Sequence, residues 1–416
     1  MKPWVAVIGR FASFQLVSQL VAFATGIIIV RSLPKEDYAY YSIAIALIAA
    51  FTMVADSGIS AALLSRGAQH RTNLERLGQL FSAAVRFRSI FGLIIAIPTI
   101  ALLCFLLHEN GASFGSTFGA AVLVGLTFVP VLSITIFQNF HRVEMNYRTL
   151  QRVTLNIALA RAALIAVLAA SGVANLGSLL FVGALSSLSG AIYLLLAIQG
   201  RISFRSAPLT EDMNLFKANV TKTLPMTFLL VMSEQITTVL ITFFGSVSVI
   251  AEISALSRFS VAFVIINAIV SDLGAPLVAR TPNSRTLLLK RMGLMVGLYS
   301  GVAIIGVTTV ALLSDPLLAI LGEQYAGLNT PLVVIAAGAG ALNTAYALNS
   351  LNQARNWLSL SWTYAPLLVI WAVLSALLLD LDDVDQAAIM VATLALPALL
   401  TQVARAVRGL FTIPAV

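Results

Sequence analysis

A chain of 416 residues with 59% hydrophobic and 10% charged residues, and a mean hydropathy of +0.96, has too little polar surface to coat a water-soluble globule. Lipid must be the solvent for most of that surface, so the net charge of +8 and pI near 9.9 report membrane orientation and not nucleic acid. The single cysteine, Cys104, rules out an intramolecular disulfide and reads as a small core residue.

Segments of about 20 residues, long enough to span a bilayer, can be drawn in chain order at Phe11–Val30, Tyr38–Ile59, Ser89–Leu107, Phe118–Phe137, Val153–Ala170 and Leu176–Ile198. Six more follow at Leu224–Gly245, Val249–Asp272, Met292–Leu313, Pro331–Leu351, Leu358–Leu379 and Ala387–Ala404. In hydrocarbon every backbone amide must be paired within its own segment, and barrel strands would alternate over about 10 residues. The fold class is therefore all-α and polytopic, with about twelve transmembrane helices. The first segment is too long and too polar-flecked for a cleaved signal peptide and is expected to stay as the first helix.

Sorting the 25 Lys and Arg residues by loop fixes the orientation: 21 fall on one side, Arg31 and Lys35 on the other, and Arg161 and Arg258 inside segments. By the positive-inside rule the crowded side is cytoplasmic, and both termini lie there. The longest central connection, Gln199 to Thr223, divides the chain into bundles of six helices, residues 1–200 and 201–416. Six helices per half imply halves related by an axis along the membrane normal.

A short echo supports duplication. Asp56-Ser57-Gly58, with Arg66 beyond, ends the second segment, and Asp272-Leu273-Gly274, with Arg280 beyond, ends the eighth. These charges either cap and pair locally or form a gate between the halves at the cytoplasmic face. The first segment of each half also carries a polar stripe: Gln15, Ser18, Gln19 and Thr25 in one, Thr227, Glu234, Thr237, Thr238 and Thr242 in the other. Single hydroxyls of this kind cement helix to helix, whereas stripes that include two glutamines and a glutamate point to a wet central cavity.

An ionised side chain at the bilayer centre costs roughly 2.5 to 3.5 kcal/mol even on the lenient insertion scale. Arg161, Glu234 and Arg258 all fall at such depths and need a partner or water. One reading is a structural ion pair between Glu234 and Arg258 on adjacent segments. The other places Arg161 and Arg258 around an anionic group, for which the planar, bidentate guanidinium suits phosphate, with Glu234 as a proton- or cation-binding residue. The three histidines are scattered with no second metal-ligand type at useful spacing, so no metal site is expected. Pro98, Pro130, Pro366 and Pro397 should interrupt helices, while Pro225 and Pro331 should stand at helix starts.

Several stretches resemble one family. Val30-Arg31-Ser32-Leu33-Pro34-Lys35-Glu36-Asp37-Tyr38 resembles its outer loop between the first two helices, with Ala39 in place of a usual glycine. Asp56-Ser57-Gly58-Ile59, Leu64-Ser65-Arg66, Phe137-Gln138-Asn139-Phe140-His141-Arg142, Ala255-Leu256-Ser257-Arg258-Phe259 and Ala275-Pro276-Leu277 are similar to its later motifs. The family is the polysaccharide-transport branch of the multidrug, oligosaccharidyl-lipid and polysaccharide (MOP) exporter superfamily. The resemblance implies two six-helix bundles and a substrate that is an undecaprenyl-diphosphate-linked oligosaccharide, moved across a bacterial inner membrane by alternating access.

On that reading the substrate-binding residues are Arg161, Arg258, Gln15 and Gln19, the ion-coupling residue is Glu234, and Asp56, Arg66, Asp272 and Arg280 form the gate. No cofactor is expected beyond a proton or sodium gradient. Expected partners are membrane lipids and, in the same pathway, a polysaccharide polymerase with its chain-length machinery; a monomer and no nucleic acid are expected. A cation-coupled multidrug exporter would want an acidic cavity, whereas two arginines oppose one glutamate here. A membrane enzyme such as a polymerase or ligase would want a sizeable outer loop, and none is present. A lipid II flippase would carry two extra helices.

Overall fold

The computed structural model describes residues 2–202, 207–264, 274, 277–282, 284–355, 357 and 359–413, with side chains described from residue 17 onward except at 147. Among these residues there are α-helices and short 3-10 turns and no strand. In chain order the helices are α1 (Lys2–Ser32), α2 (Lys35–Asp56), α3 (Ile59–Gln69), α4 (Leu74–Glu109), α5 (Phe114–Val143), α6 (Tyr147–Ala170), α7 (Leu176–Ile198) and α8 (Thr210–Phe244). They continue with α9 (Val247–Leu256), α10 (Arg285–Leu312), α11 (Ser314–Leu321), α12 (Asn329–Ala354), α13 (Tyr364–Leu378), α14 (Val384–Thr393) and α15 (Ala395–Phe411).

Among the described residues eleven stretches are long and apolar enough to cross a membrane, and the apolar part of α1, Val17–Ser32, corresponds to the first of the twelve expected segments. Their surfaces carry the mark of lipid as solvent. Leu93 is 66% exposed, Leu312 79% and Leu377 76%, each on a helix that also buries a core face.

Local sequence explains the helix starts. Asn73, Ser113, Asn146 and Asn175 each accept a hydrogen bond from the backbone N–H three residues on, beginning α4, α5, α6 and α7. A cap of this kind is worth about 1 kcal/mol. Asn175 and Ser178 form a reciprocal capping box.

The chain forms two compact units, Met1–Gln235 and Ile236–Val416. In the first, α5 packs along α4 and α7, α1 along α6, and α2 against α4 and α5. Its core near the arginine-rich end is built on Leu63, Leu77, Phe81, Phe140 and Phe216, with Phe81 and Phe140 edge to face at 5.5 Å; higher up, Phe51 stacks on Phe128 at 3.7 Å. In the second unit α12 is central, packed by α10, α14 and α15. Gly338 permits the closest of these approaches: a Cβ there would lie 2.3 Å from the Ala392 backbone.

Three sequence expectations need correction. Residues 210–223, read as a loop because of their mixed charge, form the first turns of α8, since Asp212 and Phe216 are fully buried against the first unit's core. Pro225 consequently lies inside α8 and not at a helix start. Pro366 is the third residue of α13, a first-turn position; Pro397 does follow an interruption, the break at Leu394 between α14 and α15 within the span Val384–Phe411, whereas α4 and α5 run on through Pro98 and Pro130.

Candidate functional site

The chain turns sharply between α2 and α3. Ser57 adopts φ +25° and Gly58 φ +84°, a backbone that favours glycine. Thr223 Oγ1 on α8 donates to the Ser57 carbonyl at 2.5 Å and would stand 2.9 Å from a Cβ on Gly58. Asp56, the last residue of α2, faces Arg88 on α4 with a 3.0 Å N···O approach. It also accepts from Ser60 Oγ at 2.5 Å, Ser60 accepts from Asn139 Nδ2 at 2.8 Å, and Asn139 accepts from Arg142 at 3.4 Å. Two stretches far apart in sequence, around Asp56 and Asn139, thus form one polar network. Arg88 has no exposed surface. Run length alone groups it with the loop cations, because it falls one residue before the apolar run that starts at Ser89; only its place well inside a 36-residue helix reveals it as buried.

Arg66 does not pair with Asp56 but with Glu211 at the start of α8. Arg76 grips the fully buried Asp212 with two nitrogens, at 2.5 and 2.8 Å. Arg201 pairs with Glu144, and Arg71 donates to the Glu144 carbonyl at 3.1 Å. Burial pushes the Glu144 carboxyl above the usual carboxylate range, and the charges of Arg201 and Arg71 oppose that rise. Together these pairs clasp the α7–α8 connection onto the ends of α3, α4 and α5. Of the other two expected gate residues, Arg280 is exposed and Asp272 lies outside the described residues.

Arg161 lies deeper. It stands 14 residues into α6, about 21 Å from the start of that helix and about 14 Å from its other end. Its NH2 donates to the Tyr41 hydroxyl on α2 at 3.1 Å, its buried Nε has no hydrogen-bond partner, and among the described residues no carboxylate pairs with it. Tyr41 is 2% exposed. The guanidinium is therefore held by a neutral oxygen that orients it without cancelling its charge.

On α1, Ser18 and Gln19 are half-buried, while Thr25 turns its hydroxyl back onto the Val21 carbonyl; the Gln15 side chain lies outside the described residues. Glu234 is exposed on α8, ten residues before Phe244 and so about 15 Å from that helix end. Thr242 is spent on the Thr238 carbonyl.

In the second unit the expected eighth helix is not uniform. α9 ends at Leu256, and Arg258 sits, half-buried, in a 3-10 turn at Ser257–Ser260. A 3-10 stretch within an otherwise α-helical span often marks a hinge or strain, and a periodicity reading has no way to see it. Glu252, six residues earlier on α9, is buried and did not stand out in the sequence. The first unit thus holds a mid-helix arginine, a mid-helix glutamate and a braced helix break; the second holds an arginine at a helix interruption.

Residues 8–271 match the family described as polysaccharide biosynthesis protein. Among solved structures, the chain superposes on a lipid II flippase MurJ in an inward closed conformation with a TM-score of 0.73 at 10% identity, over 98% of this chain and 90% of that one. It superposes on a multidrug resistance MATE family transporter of the MOP superfamily, inward facing, with a TM-score of 0.70 at 11% identity, over 95% and 94%. A mutant of the Vibrio cholerae MATE transporter VcmN gives 0.59 at 14% identity over 97% and 94%. At these identities the matches establish the fold. No curated protein sequence matches the chain.

Proposed function

Because the chain belongs to the polysaccharide biosynthesis protein family and has the MOP transporter fold, we propose that it is a flippase for an undecaprenyl-diphosphate-linked oligosaccharide in a bacterial inner membrane. The observation that carries this reading is Arg161: a cation at mid-span that meets a phenol and, among the described residues, no carboxylate. An uncompensated charge at that depth is costly unless a ligand or water meets it, and a diphosphate is the anion that a lipid-linked sugar brings. Arg258 supplies the second charge, and Gln15 and Gln19 meet the sugar. Glu234, exposed at a depth where lipid would penalise it, couples transport to a proton or sodium gradient.

The arginine-rich ends of the helices are cytoplasmic, as are both termini, and residues 1–200 and 201–416 are duplicated halves. Asp56 and Arg66 with Asp272 and Arg280 gate the cytoplasmic side; in the unit Met1–Gln235 the ion pairs Asp56–Arg88 and Arg66–Glu211 supply the bracing. The protein works as a monomer alongside a polysaccharide polymerase and its chain-length machinery.

A depletion experiment tests the reading. Loss of the protein should cause one diphosphate-linked oligosaccharide to accumulate, facing the cytoplasm. Unchanged lipid-linked glycans, together with new sensitivity to cationic drugs, would instead favour the multidrug exporter reading that the same fold permits.

A further inference from the structure

The two units treat their basic ends differently. In the first, four arginines are matched by carboxylates: Arg66 by Glu211, Arg76 by Asp212, Arg88 by Asp56 and Arg201 by Glu144. In the second, the described acidic residues Asp315, Glu323, Asp380, Asp382, Asp383 and Asp385 belong to the opposite helix ends, and Glu252 is buried within α9, five residues from its start at Val247. The arginines at the basic end lean on neutral groups. Arg291 donates to the Thr281 hydroxyl at 3.0 Å, and Arg285 lies 4.2 Å over the Phe411 ring.

Arg405 is the extreme case. It lies on α15 with only 3% of its surface open. Its Nε donates to the Trp357 carbonyl at 2.9 Å, and its NH1 donates to Asn349 Oδ1 at 2.9 Å and Gln402 Oε1 at 2.8 Å. Gln402 also accepts from the fully buried Asn352. The arrangement is built in from the backbone: Gly409 lets the Trp357 ring lie where a Cβ would come within 2.1 Å of it, which brings the Trp357 carbonyl onto Arg405. Among the described residues no carboxylate pairs with this guanidinium, and its NH2 carries no hydrogen bond. Neutral carbonyl and amide oxygens hold a buried positive charge in place and leave one donor edge unused. A buried charge left without its counter-ion is costly, and a guanidinium edge suits a phosphate oxygen. Depth says where that phosphate comes from: Trp362, 71% exposed, and Phe411, 67% exposed, flank this end, as aromatic residues do at the headgroup level of a membrane.

We propose that the basic end of the second unit is a phosphate-binding site centred on Arg405, filled by the headgroup of an acidic phospholipid from the adjoining leaflet. The site lies within one unit and requires only that the protein be in a membrane, so it stands or falls separately from the substrate proposed above. The test follows thermal unfolding of the purified full chain in neutral detergent during titration with short-chain phosphatidylglycerol, short-chain phosphatidylcholine or inorganic phosphate. A ligand that binds only the folded state raises the unfolding midpoint. Phosphatidylglycerol should raise it saturably by a few degrees, and phosphatidylcholine and inorganic phosphate should not. Arg405→Gln should weaken the apparent phosphatidylglycerol affinity by about tenfold or more, as should Gln402→Glu, which keeps the arginine but gives it an internal counter-ion. Arg161→Gln should leave the response intact. If Arg405→Gln does not fold, Gln402→Glu decides alone. Equal responses to the two lipids, an equal response to inorganic phosphate, or a full phosphatidylglycerol response in Gln402→Glu would overturn the proposal.

Discussion

Arg161 and Arg88 show how much a neighbour decides about an arginine. Both are embedded in the first unit, yet Arg88 has Asp56 at 3.0 Å and Arg161 has the Tyr41 hydroxyl at 3.1 Å. A carboxylate neutralises; a phenol only orients. Tyr41→Phe should therefore reduce transport about fivefold, the value of one hydrogen bond of roughly 1 kcal/mol, and restoring the hydroxyl should restore the rate. The Arg76–Asp212 pair makes a stability prediction instead. Asp212 is fully buried and accepts two charge-assisted bonds, so Asp212→Ala should cost about 3 kcal/mol by leaving Arg76 uncompensated. A double-mutant cycle with Arg76→Ala, read by chemical unfolding, should recover part of that loss. Sequence alone exposed Arg161 because it interrupts an apolar run. It hid Arg88, which sits at the edge of one, and hid Asp212, whose burial depends on a partner 136 positions away.

The informative places among the helices are their interruptions. The α2–α3 turn combines φ +84° at Gly58 with a Thr223 hydroxyl where a Cβ would go. Gly58→Ala should destabilise by about 1 to 2 kcal/mol through the left-handed backbone and the contact together. Adding Thr223→Ala should relieve the contact but not the backbone, so a partial rescue in thermal unfolding is expected; full rescue would show that strain at Gly58 is negligible. Apolar run length located nearly every spanning helix, because bilayer thickness sets that length physically. It missed the first turns of α8 because their burial depends on the pairing of Asp212 with Arg76, and the 3-10 turn at Arg258 because hydropathy does not distinguish 3-10 from α backbone.

At the scale of the whole molecule, the fold follows from composition and charge placement, and the motifs around Asp56, Asn139 and Arg258 point to the family from sequence alone. The cargo is less legible, since the same fold serves a lipid II flippase and multidrug transporters. What separates the readings is the sign of the deep charge. A carrier of cationic drugs gains nothing from an uncompensated Arg161, whereas a carrier of a diphosphate depends on it. Glu234→Gln should abolish the dependence of transport on a proton or sodium gradient while leaving substrate binding in place, as measured in vesicles with and without an imposed gradient. The most direct measurement is flipping of a diphosphate-linked oligosaccharide in proteoliposomes containing equal amounts of the unmodified protein, Arg161→Gln and the Arg161→Gln, Arg258→Gln pair. A drop of about tenfold or more in the single variant, with no flipping detected in the pair, is the predicted result; unchanged rates in both would contradict the account.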